Sequence, residues 1–164
     1  MKQLYLLRHA HSEKSFLNKD HERIISVKGN LEIEFLSSYF KRNEFTPETI
    51  LTSSATRTIQ TAKKIISELA LDESILISKE SLYEATINNY YEELRKIGNS
   101  INNLLMIGHN PTILELASNL VGNELNYLPT CGLIKVQLDF NRWESINEEI
   151  GQTTGFVHMG SLLR

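Results

Sequence analysis

The chain has 164 residues, a length that suits a single domain over 1–164 with its own hydrophobic core. Apolar residues make up 41% and charged residues 23% of it, as in an ordinary globular protein. No run approaches the roughly 18 apolar residues of a membrane helix, and the formal net charge of -3 argues against a general nucleic-acid binder. The single cysteine, Cys131, excludes an internal disulfide and is typical of a reducing compartment, so we expect a cytoplasmic protein.

Strands and helices are predicted to alternate along the chain. Apolar runs predict strands at 3–7, 48–52, 74–78, 103–108, 133–139 and, at a sheet edge, 155–158. Helical spacing predicts helices from about Val27, over 55–69, around Tyr91, Leu94 and Ile97, and from Pro111 to near Gly122. Such alternation is typical of an α/β fold with a mainly parallel sheet. The polar connection over 8–27 has no apolar period, and connections of this length are usually functional or disordered.

The same spacing predicts the buried faces and the capping residues of the helices. The inward face of the first helix is predicted to hold Leu31, Phe35, Leu36, Tyr39 and Phe40. The second helix is predicted to face inward through Ile59, Ala62, Ile66 and Leu69. Ser53 or Ser54 is expected to cap this second helix, and Asn110 to cap the helix that begins at Pro111.

Basic side chains and histidines follow three of the predicted strands at their carboxyl ends. Arg8 and His9 come directly after the first strand, Arg57 lies one to two turns beyond the second, and His109 follows the fourth. In open α/β sheets, ligands bind outside the carboxyl ends of the strands. We therefore expect these four side chains to share one pocket, and two arginines with two histidines suit a phosphate group.

Each of these four side chains has a use in phosphoryl transfer. A neutral imidazole nitrogen of His9 can attack phosphorus, provided that its other nitrogen is held by a carbonyl or a carboxylate. The planar guanidinium groups of Arg8 and Arg57 match phosphate oxygens. His109 precedes a helix start, where it can stabilise the charge that develops on the transferring group.

Other candidates are open to two interpretations. Glu84 is either the proton donor to a leaving oxygen or a surface glutamate. His11 either touches the phosphate or simply lies in the 8–27 connection. Asp20, His21 and Arg23 can form an ion-pair clasp that orders this connection.

Three motifs in this order resemble those of a known superfamily. They are Leu7-Arg8-His9, the string from Ser53 and Ser54 through Arg57 to Ala62, and Gly108-His109-Asn110-Pro111. This set is similar to the histidine phosphatase superfamily, also called phosphoglycerate mutase-like, and most similar to the small SixA-like phosphohistidine phosphatases. Further similarity lies in Asp20-x-x-Arg23, in Leu82-Tyr83-Glu84-Ala85 and in Leu128-Pro129-Thr130 before Gly132. The chain departs from the pattern at Ala10, where much of the superfamily has glycine, and at the bulky His11.

The resemblance implies a three-layer α/β/α sandwich and a phosphatase that works without a metal or other cofactor. His9 would be the phosphorylated nucleophile, and Arg8, Arg57 and His109 would complete the phosphate pocket. The chain lacks the long insertions from which larger members build substrate lids. An exposed phosphoryl donor is therefore favoured, namely a phosphohistidine on a partner protein, with a small phosphate ester as the alternative. No nucleic-acid or membrane partner is expected.

Two other classes of function are compatible with parts of the sequence. A metal-dependent hydrolase could use His9, His11, Asp20, His21, His109 and Cys131 as ligands, although two arginines beside a divalent cation would be unfavourable. A non-catalytic phosphate-binding module would keep the pocket without turnover, but none of the four pocket residues is missing. Cys131 itself is expected to pack in the core.

Overall fold

The computed structural model describes residues 1–14, 17 and 19–162, so positions 15, 16 and 18 of the predicted connection lie outside the described residues. Within this part of the chain, one six-stranded sheet has the order β3-β2-β4-β1-β5-β6. β1 pairs in parallel with β4, as do β2 with β4 and β2 with β3, whereas β5 and β6 add antiparallel pairs. The strands are β1 (Lys2–Arg8), β2 (Thr49–Ser53), β3 (Leu76–Lys79), β4 (Asn103–Gly108), β5 (Leu133–Leu138) and β6 (Gly151–Val157). The mainly parallel sheet and its edge strand are confirmed.

Helices cover both faces of the sheet because its central strands alternate apolar side chains between two cores. On β1, Leu6 belongs to one buried cluster and Leu7 to the other. The first cluster includes side chains of α3 and α4, and the second includes side chains of α1 and α2. These helices are α1 (Val27–Arg42), α2 (Thr56–Glu68), α3 (Ile87–Arg95) and α4 (Thr112–Val121). The predicted three-layer α/β/α sandwich is therefore confirmed. Within the described residues, no helix combines the length and apolar character needed to cross a membrane.

The buried helix faces differ in part from the predicted ones. Leu31 is 54% exposed, because α1 packs through Ile33, Leu36 and Phe40, and Leu31 lies about 200° around the helix from Ile33. Phe35 and Tyr39 are only partly buried. In α2 the inward face holds Ala62 and Ile66 as predicted, but Ile59 and Leu69 are only partly buried. The rest of the buried face of α2 is formed by Ile65 and by the polar residues Arg57, Thr58 and Thr61.

Both predicted caps are wrong, because tertiary contacts use their side chains. The residue that precedes α2 is Ala55, and Ser53 instead contacts His109. The residue that precedes α4 is Pro111, and the Asn110 amide donates to the Leu128 carbonyl. The third strand begins two residues later than predicted, after a 3₁₀ turn over Glu73–Ile75, and the last strand begins four residues earlier.

The connection after β1 is held against α1 by a buried carboxylate. Glu32, 4% exposed, accepts hydrogen bonds from the His11 backbone amide at 2.8 Å and from the Thr130 hydroxyl at 2.7 Å. The His11 carbonyl in turn accepts from the Ser26 backbone amide at 2.9 Å, and Ser26 caps α1. A β-carbon at Gly29 would overlap the His11 carbonyl, so this contact requires glycine. These contacts fix the start of the connection close to the carboxyl end of β1.

We predict that Gly29→Ala destabilises the protein although alanine is the better helix former. The new methyl group must displace the His11 backbone, which should lower the free energy of unfolding by about 1–3 kcal/mol. Gly98→Ala is the matched control, because a β-carbon there meets only the Ser100 hydroxyl at 3.8 Å. Chemical denaturation of both variants measures the difference. Equal stability of the two variants would contradict the close contact.

Candidate active site

All five sequence-predicted site residues line one cavity of about 320 Å³. Arg8 ends β1 and His9 follows it, His109 follows β4, and Arg57 lies in the first turn of α2 after β2. Because β2, β4 and β1 are neighbours in the sheet, their carboxyl ends bring these four side chains together. Glu84 reaches the same cavity from the segment before α3.

His9 is 8% exposed and is held as a neutral ring with a defined tautomer. Its Nδ1 lies 2.8 Å from the Ala10 carbonyl, and its Nε2 accepts a hydrogen bond from the Arg57 Nε at 3.3 Å. The carbonyl can only accept, so the proton is assigned to Nδ1. Burial lowers the pKa of His9 to about 3; the Ala10 carbonyl opposes this shift, while His109 and the nearby arginines reinforce it. The ring therefore carries its lone pair on Nε2.

Arg57 joins both histidines to the connection after β1. Its side chain is 7% exposed. One terminal nitrogen donates to the Asp20 carbonyl at 2.7 Å. The other donates to the Asp20 carboxylate at 3.0 Å and to Nδ1 of His109 at 3.3 Å. Four hydrogen bonds within the described residues thus orient this guanidinium.

His109 is neutral as well, with the opposite tautomer. Its Nδ1 accepts from Arg57, so its Nε2 carries the proton and donates to the Ser53 hydroxyl at 2.6 Å. Burial, with the charge of Arg57 next, lowers the pKa of His109 to about 4. The backbone amide of His109 donates to the Tyr90 hydroxyl at 3.3 Å. The positive charge in the cavity therefore comes from the arginines and not from the histidines.

Arg8 presents a donor that no described residue uses. One of its terminal nitrogens donates to the Leu128 carbonyl at 3.1 Å, while its buried Nε has no hydrogen-bond partner in the described residues. Burial lowers the pKa of Arg8 from its ordinary value, yet an arginine stays charged in proteins. A buried cationic donor of this kind is suited to an anion that enters the cavity.

The predicted clasp in the connection exists, but its partners differ from the expected set. Asp20 forms ion pairs of 3.0 Å with Arg23 and with Arg57, whereas His21 contacts the Ser54 hydroxyl at 2.9 Å. Burial raises the pKa of Asp20, but hydrogen bonds from Arg23, Tyr83 and Arg57 outweigh this and bring it down to about 2. Asp20 is therefore a charged residue of the cavity, whereas the sequence predicts it in the clasp of the connection or as a ligand of a metal-dependent hydrolase.

Tyr83 is a cavity residue to which the sequence interpretation gave no role. Its hydroxyl donates to the Asp20 carboxylate at 3.0 Å, and its ring stands edge-on to His109 with centroids 5.9 Å apart. Its position beside Glu84 in a motif was the available signal. Glu84 is exposed at the rim, at a left-handed backbone position with φ 49°.

Two other candidates lie away from the cavity. His11 hydrogen-bonds the Ser26 hydroxyl through Nδ1 at 2.7 Å and is not a lining residue, so it belongs to the connection and does not touch the pocket. Cys131 is buried in the core as expected. Among residues 1–14, 17 and 19–162, no three His, Cys, Asp or Glu side chains are grouped to hold a metal ion.

Comparison with known proteins relates the chain to relatives and to solved structures. No protein-family model matches it. An uncharacterized chloroplast protein of Arabidopsis thaliana is 31% identical over 152 residues, which cover 87% of this chain and 69% of the relative.

The fold is found in solved phosphatases. A protein histidine phosphatase SixA complexed with tungstate superimposes with a TM-score of 0.84 at 21% identity, over 98% of this chain and 99% of that one. A mycobacterial glucosyl-3-phosphoglycerate phosphatase gives a TM-score of 0.70 at 12% identity, over 93% and 97% of the two chains. The chain therefore belongs to one family with its plant relative and has the histidine phosphatase, or phosphoglycerate mutase-like, fold that its motifs predicted.

Proposed function

We propose that this chain is a phosphatase that transfers a phosphoryl group to His9 and then to water. The observation that carries the proposal is the neutral His9, whose Nε2 lone pair accepts a hydrogen bond from Arg57 in a cavity lined by two arginines. A nucleophilic nitrogen next to cationic donors is what transfer through a phosphoenzyme requires. The SixA neighbour with bound tungstate, an oxyanion, supports an oxyanion ligand for this fold.

In the first step, His9 Nε2 forms a bond to phosphorus while the bond to the leaving group breaks. The hydrogen bond from Arg57 Nε to Nε2 must be given up, which frees this donor for a phosphoryl oxygen. Arg8 Nε and the donors of Arg57 then stabilise the charge on the phosphoryl oxygens. The Ala10 carbonyl keeps the Nδ1 proton in place and stabilises the positive charge that the ring acquires.

In the second step, water attacks the phosphorus of phospho-His9 and the phosphorus–nitrogen bond breaks. The products are inorganic phosphate and His9 with its lone pair restored, and one proton of the water is released. For an ester substrate, Glu84 at the rim is the proposed proton donor to the leaving oxygen in the first step. Its exposed position is compatible with this role and with exchange of protons with solvent.

The proposed substrate is phosphohistidine on a partner protein, with a small phosphate ester as the alternative. The solved neighbours include a protein histidine phosphatase and a phosphatase of a small sugar derivative, which supports a phosphorylated substrate of either kind. A cavity of about 320 Å³ without a long lid insertion favours a phosphoryl group presented on a protein surface. The cytoplasmic location stays a prediction.

We predict that His9→Ala abolishes turnover, lowering it at least about a thousandfold, because it removes the nucleophile to which the phosphoryl group is transferred. Acid-labile phosphate on His9, sought by mass spectrometry after quenching in alkali, should disappear as well. His158→Ala is the matched control, since His158 does not line the cavity. An active His9→Ala protein would refute the mechanism. Phosphate binding without any phosphoenzyme in the wild type would instead favour a non-catalytic module.

The pH profile of kcat/KM should show no loss of activity near pH 6.5, where an unshifted histidine is protonated. The attacking form of His9 is neutral, and its pKa of about 3 keeps it neutral as the pH falls from 7 to 5. An unshifted histidine would lose most of its neutral form over this range. Because kcat/KM reports the free enzyme, it should fall only as the pH approaches the pKa of His109, about 4, and then that of His9, after correction for protonation of the substrate. A loss centred near pH 6.5 would contradict the buried neutral ring.

The role of Glu84 can be read from the dependence on leaving group. Glu84→Gln should lower turnover of an alkyl phosphate by about a hundredfold, because the alkoxide needs a proton. Turnover of a phosphohistidine protein should change little, since imidazole is a good leaving group. Glu80→Gln removes the same charge from a residue that does not line the cavity and should leave both rates unchanged. Equal losses on both substrates would argue against proton donation.

A further inference from the structure

We propose that Asp20 is a specificity-determining residue, an internal anion that competes with the phosphoryl group for Arg57 and weakens the hold on free phosphate. This inference rests on the proposed function, because it concerns the same pocket. It assigns a role in ligand binding to the connection after β1, which carries Asp20 in a short turn over Asp20–Glu22.

The competition follows from the number of donors on Arg57. A guanidinium has five N–H groups, and four hydrogen bonds already engage this one. The bond to His9 is lost in any case when Nε2 attacks. Of the remaining acceptors, the Asp20 carboxylate oxygen, 3.0 Å from Arg57, is the charged one. It takes the charge-assisted hydrogen bond that a phosphoryl oxygen would make.

Asp20 is also held so that one of its two oxygens faces the pocket. Oδ1 is bound by Arg23 at 3.0 Å, and Arg23 is anchored in turn to the Ser12 hydroxyl at 2.7 Å and the Glu13 carbonyl at 2.9 Å. Oδ2 receives Arg57 and the Tyr83 hydroxyl, both at 3.0 Å. When an anion enters, Oδ2 can leave Arg57 while Oδ1 stays on Arg23. The carboxylate is therefore tethered at the pocket edge.

A dianion bound beside this carboxylate is opposed by like-charge repulsion. The Asp20 side chain is half exposed, so solvent reduces this repulsion without removing it. Free phosphate makes contacts only inside the pocket, so nothing offsets this repulsion. A phosphoryl group carried by a larger molecule can compensate through contacts outside the pocket. Asp20 would thus favour presented phosphoryl groups and promote release of the phosphate product.

The test is calorimetric binding of inorganic phosphate to the wild type and to Asp20→Asn. Asparagine retains the size and an oxygen acceptor for Arg57 but removes the charge, so the Kd should fall about tenfold. Glu22→Gln is the control: it removes a charge from the same turn at an exposed residue that does not line the cavity. Its Kd should stay unchanged.

Turnover separates the possible outcomes. With an aryl phosphate, Asp20→Asn should lower KM and the inhibition constant of phosphate, with no gain in kcat. If Asp20 instead only positions Arg57, Asp20→Asn will bind phosphate more weakly and lose kcat, which overturns the proposal. An unchanged Kd in Asp20→Asn, or no phosphate binding by any variant, overturns it as well. Should Asp20→Asn fail to fold by circular dichroism, Asp20→Ser, which keeps a hydroxyl acceptor without the charge, decides by the same criterion.

Binding is measured without turnover, so the two proposals can fail separately. Tighter phosphate binding by Asp20→Asn with no phosphoenzyme in the wild type would reject the phosphatase and retain the role of Asp20. Phosphoenzyme formation on His9 with unaltered phosphate affinity in Asp20→Asn would do the reverse.

Discussion

The burial of one guanidinium, that of Arg57, is the interaction on which the rest of the site depends. A buried charge without partners is strongly destabilising, and within the described residues the guanidinium of Arg57 donates to four acceptor atoms. Asp20 supplies the negative charge, and His9 and His109 supply neutral nitrogens. A protonated histidine beside Arg57 would be repelled, which is one physical reason why both rings have depressed pKa values. The neutral state of both rings thus follows mainly from their own burial, and the charge of Arg57 reinforces it.

The sheet positions the two histidines, and the connection after β1 positions Asp20. The parallel neighbours β2, β4 and β1 end at the same edge, which puts the rings of His9 and His109 5.2 Å apart between centroids. The connection then brings Asp20 back over Arg57. Glu32 on α1 fixes the base of this connection through the His11 amide and at the same time binds Thr130. A buried carboxylate of α1 therefore contributes to the geometry of the pocket.

The two arginines of the cavity differ in how many of their donors are already used in hydrogen bonds. Arg8 lines the cavity, and its Nε has no hydrogen-bond partner among the described residues. Arg57 must exchange its carboxylate partner first. If Asp20 competes with the phosphoryl group as proposed, this difference between the two arginines would favour release of the phosphate product.

The sequence by itself determined the alternation of elements, the carboxyl ends of the strands and the meeting of Arg8, His9, Arg57 and His109 in one cavity. It could do so because the apolar period and the position of a residue at a strand end are local properties. It failed at Leu31 and at the helix caps, where packing against other elements decides which side faces inward and which partner a serine or an asparagine takes. Only the tertiary structure decided the tautomers, the depressed pKa values and the place of Asp20 on Arg57. These depend on groups far apart in the chain, whose mutual distances and burial exist only after folding.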